Sequence, residues 1–164
     1  MVVGLSMGGL VALNLGMRHP DKIAGVVTLA AALRFADPLA PVAPALSAFV
    51  KSWPSPEAFR DLSLKHTSQN YPKFMTEAFG ELLRYAHATE SRLPQLTVPV
   101  CVVQSKRDQV VKPLSANVIY RDVASEHREI HWFSKSGHEM GQDCEKDAVF
   151  DTVMAFVEKF RQKA

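Results

Sequence analysis

The strongest constraint on this chain is a short run close to its start. Gly4-Leu5-Ser6-Met7-Gly8 has the form G-x-S-x-G and stands between two apolar stretches, Val2–Leu5 and Gly9–Arg18. A serine on a tight strand-to-helix turn is pushed out above a sheet, and glycines flank it because side chains there would strike neighbouring backbone. Val2–Leu5 is apolar throughout, as buried parallel strands are. Leu10, Val11, Leu13, Leu15 and Met17 make the following stretch apolar on nearly every side, which predicts a buried helix. Pro20 disfavours helical geometry at His19 and closes it. Lys22–Ala31 then supplies a β-rich run at the interval of a strand–helix–strand unit.

The same alternation returns toward the other end. Val98–Gln104 and Glu129–Phe133 are predicted strands, and Pro113–Val123 and Glu145–Phe160 are predicted helices. The last helix turns Val149, Phe150, Val153, Met154, Phe156, Val157 and Phe160 inward. Such alternation implies an α/β chain: a mostly parallel sheet with right-handed crossovers, flanked by helices. About four strands can be counted. From Leu33 to Leu93 the character changes. Pro38, Pro41, Pro44, Pro54, Pro56 and Pro72 punctuate short helical pieces, and Lys73–Glu90 carries Phe74, Phe79, Leu82, Leu83 and Tyr85 at helical spacing. Residues 1–32 and 94–164 are therefore expected to form the core, and 33–93 a helical cap inserted into it.

A serine hydroxyl attacks poorly until a base takes its proton. His138, in Ser136-Gly137-His138, follows the strand Glu129–Phe133 and so falls on a loop at the sheet's carboxyl edge. His131 lies inside that strand, His19 at a helix end, and His66, His87 and His127 in helix or surface loop. The acid that orients the imidazole is assigned to Asp108, on the loop after Val98–Gln104. Asp37 is the rival, and Asp143 is expected to cap the last helix. The N–H of Met7, at a helix start, is placed to hold a developing oxyanion. Ser, then Asp, then His is the chain order of α/β-hydrolases.

Composition removes other classes. With a net charge of +2 and scattered Lys and Arg, no basic patch points to nucleic acid or an anionic membrane. No segment reaches spanning length. His127 and His131 lie four apart on a turn-to-strand segment rather than a helix, so no metal site is expected. Cys101 and Cys144 are expected as free thiols of a cytoplasmic protein.

The segments GLSMGGLVALNLGMRHP, VQSKRDQVVKPLSANVIYRDV and HWFSKSGHEMGQDCEKDAVFDTVMAFVEKF resemble the small bacterial carboxylesterases and monoacylglycerol lipases of the α/β-hydrolase superfamily. The likeness covers nearly the whole chain, and the cap is its least distinctive part. It implies the C-terminal part of an α/β-hydrolase fold and hydrolysis of short- to medium-chain acyl esters or monoacylglycerols, with no cofactor. It also implies Ser6, Asp108 and His138 as nucleophile, acid and base. Phe49, Trp53, Phe74 and Phe79 of the cap are candidates to line an acyl pocket, with cap-to-sheet packing as their other role. Members of that superfamily carry an N-terminal half with a His-Gly-type loop giving a second oxyanion N–H, and this sequence holds no such segment. Two expectations follow: catalysis can be weak or nil, and strand 2–5 is a raw edge inviting a homodimer.

Overall fold

The computed structural model describes residues 1–67 and 70–161. The elements run β1 (Val2–Leu5), α1 (Met7–Arg18), β2 (Val26–Leu29), α2 (Ala43–Leu46), β3 (Ser52–Pro54), β4 (Lys73–Met75), α3 (Thr76–Glu90), β5 (Val100–Ser105), α4 (Leu114–Asp122), β6 (Arg128–Phe133) and α5 (Lys146–Arg161). Four strands form one sheet in the order β1-β2-β5-β6, every pairing parallel. All four carboxyl ends therefore open on the same edge, where a ligand site of an open α/β sheet lies.

Alternation along the buried strands divides the core in two. Val26, Val100 and Val102 face one way and pack with Leu10 and Leu13 of α1, Ala116 and Ile119 of α4, and Ala86 of α3. Val27, Leu29, Cys101 and Val103 face the other way, against Val149, Val153, Phe156 and Phe160 of α5. Phe156 alone removes enough apolar surface from water to stabilise the fold by about 1.5–3 kcal/mol. The outer side of β1 meets no strand among the described residues, and Val3 there is 47% exposed.

Three local departures from the sequence reading have physical causes. β2 is shorter than Lys22–Ala31: Lys22–Gly25 still belongs to the turn after α1, and at the other end Ala30 takes a left-handed φ of 47° and turns the chain out of the sheet. β5 begins after Pro99, which has no N–H to give the ladder. The helix expected from Lys73 begins at Thr76, because Lys73–Met75 pairs antiparallel with Ser52–Pro54. This small sheet holds Trp53 opposite Phe74. The far half of α3 is held to α1 by Asn14, whose Nδ2 donates to Thr89 Oγ1 at 2.7 Å and to the Leu10 carbonyl at 2.9 Å.

Candidate active site

Ser6 occupies the turn between β1 and α1 with φ 54° and ψ −118°, a conformation costly for any residue with a Cβ. The backbone on both sides is pinned. Ser6 N–H donates to the Leu29 carbonyl at 2.8 Å, and the Ser6 carbonyl accepts from Gly9 at 3.0 Å and Ala32 at 3.1 Å. A Cβ on Gly4 would collide with the Gly8 carbonyl, and one on Gly9 would come within 2.8 Å of the Ala31 methyl. Of the two glycines of the motif only Gly4 is required by contact, since a Cβ on Gly8 would meet nothing within 4 Å, contrary to the expectation that both sides of the serine are crowded; the second crowded position is Gly9, just past the motif. Met7 follows as the first residue of α1, 55% exposed, and among the described residues its N–H donates to no backbone carbonyl.

Asp108 and His138 are brought together. Asp108 lies just past β5 and His138 past β6, both less than a tenth exposed, with His138 Nδ1 3.0 Å from Asp108 Oδ2. A carboxylate oxygen only accepts, so Nδ1 carries the proton and Nε2 keeps its lone pair. That is the tautomer a base needs. Asp108 accepts from three further groups: Gln104 Nε2 on Oδ2 at 2.9 Å, and the Val110 and Val111 N–H on Oδ1 at 2.9 and 2.8 Å. Gln104 is fully buried on β5, and nothing in its sequence context distinguishes it from an ordinary strand-end residue. The segment after β2 clamps the loop carrying Asp108, with Ala36 N–H donating to the Val110 carbonyl and Lys112 N–H to the Arg34 carbonyl.

The loop carrying His138 is tied by carboxylates. Glu145 accepts the N–H groups of Lys135 and Ser136 at 2.8 and 2.7 Å, and its own N–H donates to Ser136 Oγ. Ser105, at the end of β5, donates to the Ser136 carbonyl at 2.5 Å. Asp143 does not cap α5, which starts three residues later; buried at 1% exposure, it accepts from four backbone N–H groups. These are Gly137 (2.6 Å) and Arg60 (2.7 Å) on Oδ2, and Cys144 (2.8 Å) and Asp61 (3.1 Å) on Oδ1. Burial alone would raise both carboxyl groups. The backbone donors outweigh it and hold Asp143 and Glu145 below their ordinary values.

The remaining candidates fall elsewhere. Asp37 is exposed and accepts the Leu39 N–H at 2.8 Å in a local turn. Trp53, Phe74 and Phe79 line a recess of about 10 Å³ together with Leu39, Ala43 and Leu46, room for about one water and not for an acyl chain. Phe79 stacks edge-on to Phe35 at 4.8 Å and tilts against Phe74 at 5.2 Å. Phe49 stands outside this group, 87% exposed. Both cysteines are free. Burial of Cys101 against β-sheet neighbours pushes its thiol up to about 12, out of reach as a thiolate. Among the described residues no three His, Cys, Asp or Glu side chains are grouped to hold a metal, and no helix is long and apolar enough to cross a membrane.

The family described as Serine aminopeptidase, S33 matches residues 1–145. The chain belongs to that family. It is similar to the carboxylesterase of Bacillus subtilis (strain 168), 26% identical over 95% of this chain and 62% of the relative. It is likewise similar to the thermostable monoacylglycerol lipase of Bacillus sp. (strain H-257), 28% identical over 96% of this chain and again 62% of the relative. Among solved structures, one described as LipS and LipT, two metagenome-derived lipolytic enzymes, superposes with a TM-score of 0.88 at 26% identity, over 96% of this chain and 64% of that one. The monoacylglycerol lipase of Paleococcus ferrophilus shares the fold, with a TM-score of 0.80 at 16% identity over 94% of this chain and 66% of that one. This S33 chain therefore has an α/β-hydrolase fold and spans under two thirds of the length of these two relatives.

Proposed function

We propose that this chain is a serine hydrolase that cleaves carboxylic esters through an acyl-enzyme on Ser6. The observation that carries the reading is the buried 3.0 Å bond between His138 Nδ1 and Asp108. It fixes the imidazole's tautomer on the same sheet edge that presents Ser6 on its strained turn. In this reading His138 Nε2 takes the proton as Ser6 Oγ attacks the ester carbonyl, and Asp108 stabilises the imidazolium. The Met7 N–H, aided by the positive end of α1, holds the oxyanion. The imidazolium then gives its proton to the departing alcohol, and water activated by the same nitrogen releases the acid.

The carboxylesterase and monoacylglycerol lipase among the relatives support short- to medium-chain esters or monoacylglycerols as substrates. Residues 33–93 are proposed to act as the cap. Because the recess lined by Trp53, Phe74 and Phe79 is closed to an acyl chain, those rings bind substrate only if the cap shifts.

The test combines fluorophosphonate labelling with p-nitrophenyl ester hydrolysis across acyl lengths, with amino-acid p-nitroanilides as the amide comparison. Labelling is expected at Ser6, with ester turnover exceeding anilide turnover. His138→Ala is expected to lower turnover about 10⁴-fold or more. Equal labelling of the wild type and His138→Ala would sink the reading, because an unactivated hydroxyl would then be reacting.

A further inference from the structure

His138 lies between two residues that are each fastened to residues 58–61. On one side, Gly137 N–H donates to Asp143 Oδ2, the same oxygen that accepts the Arg60 N–H. On the other side, Glu139 N–H donates to the Ala58 carbonyl at 3.0 Å. Gln109, next to the acid, donates from Nε2 to the Phe59 carbonyl at 3.2 Å. The fit is tight: a Cβ on Gly137 would fall 2.6 Å from the Ala58 oxygen and 2.8 Å from Gln109 Oε1. The carboxylate bonded to the imidazole is Asp108, not Asp143. The four bonds of Asp143 all run to backbone, and they join two segments more than seventy residues apart in sequence.

We propose that Asp143 is a positioning residue for His138, a latch that holds residues 60 and 61 and the Gly137 backbone in one arrangement. The orientation of the imidazole and the docking of residues 58–61 are then a single equilibrium. When the latch opens, Gly137 loses its acceptor and the imidazole loses its aim at Ser6. This rests on the reading of His138 as the base.

In Asp143→Asn, whichever way the amide turns, two of the four N–H donors face an NH₂ group that cannot accept. The variant is compared with the wild type by fluorophosphonate counting of reactive Ser6, kcat per labelled site on p-nitrophenyl butyrate, and the NMR resonance of the proton between His138 and Asp108. The expected result is a fall in kcat per labelled site on the order of 10- to 100-fold, the effect of about 1 Å of misplacement. KM should stay within about twofold, and the proton resonance should shift or broaden. Wild-type kcat per labelled site with an unchanged resonance would overturn the proposal, leaving Asp143 a stabilising residue only.

Amide exchange in the wild-type chain covers the case in which the variant does not fold. The amides of Arg60, Asp61 and Gly137 should exchange through one common opening, and unrelated opening energies would refute the latch. Failure of the base reading shows separately, as equal labelling of the wild type and His138→Ala. The resonance and exchange measurements need no turnover and still judge the latch in that event.

Discussion

Replacing Ser6, the proposed nucleophile, with glycine should make the protein more stable. Ser6 is held at φ 54° and ψ −118°, outside the left-handed helical well and in a region that only glycine enters freely. Holding a Cβ there costs about 1–3 kcal/mol. Glycine recovers that strain but gives back about 0.5–1 kcal/mol through its freer unfolded chain. The net gain for Ser6→Gly is about 1 kcal/mol. At this chain length that corresponds to about 2–4 °C in Tm. No hydrogen bond from the Ser6 hydroxyl is recorded among the described residues, so losing it should cost little. Ser6→Ala is the control, since it lacks the hydroxyl but keeps the Cβ and the strain. Thermal unfolding of the three proteins by circular dichroism should rank Ser6→Gly above both others, with neither variant hydrolysing ester. A Ser6→Gly Tm at or below that of Ser6→Ala would mean that the turn stores no strain, and the reasoning would be wrong.

The other predictions concern the carboxylates. Gln104→Leu removes a hydrogen bond to the charged Asp108 at little cost in volume; stability should fall by about 1.5–3 kcal/mol, read as a lowered urea midpoint. Gln104→Glu should be worse, because it puts a second carboxyl beside the first, and a midpoint equal to that of Gln104→Leu would show that only packing is at stake. Asp143 and Glu145 are held below their ordinary values of 3.8 and 4.5 by backbone donors, against the opposing effect of burial. A lowered carboxyl contributes stability that is complete above its unfolded pKa and is lost as the pH falls through the folded one. The urea midpoint should therefore decline as the pH is taken below about 4.5, with a shallower decline in Asp143→Asn, and parallel profiles would refute the assignment.

How far the sequence could be read follows from the range of the interactions involved. The Ser6 turn is dictated by residues within a few positions of it, and Asp108 and His138 each follow a strand whose apolar run is itself local. Their meeting needed only a parallel sheet. The β3–β4 pairing was hidden because its strands are three residues long, separated by eighteen residues, and Phe74 also fits the helical spacing of the residues after it. Asp143 has the sequence context of a helix cap, and only the arrival of residues 60 and 61 shows otherwise. Gln104 is a polar residue ending an apolar strand, and its partner lies four positions on, around a turn no periodicity describes.

One physical choice recurs around the proposed site. The loops bearing Asp108 and His138 each give residues to the apolar core, Val111 in one and Met140 in the other, but their backbone N–H groups also turn inward, where they would be costly without acceptors. Asp108, Asp143 and Glu145 each answer this with a short carboxylate that takes two or more of those donors. A carboxylate offers about four acceptor positions on a side chain stiff enough to fix their directions. One residue can therefore set the path of two loops. Serine or asparagine would satisfy fewer donors, and a hydrophobic residue none. The same choice makes the loops respond to protons. Asp143 and Glu145, both held below their ordinary values, meet their donors above the carboxyl range and lose acceptors below it, while the sheet beneath keeps its apolar core. Acid should therefore loosen the histidine loop and residues 58–61 before it unfolds the β-sheet.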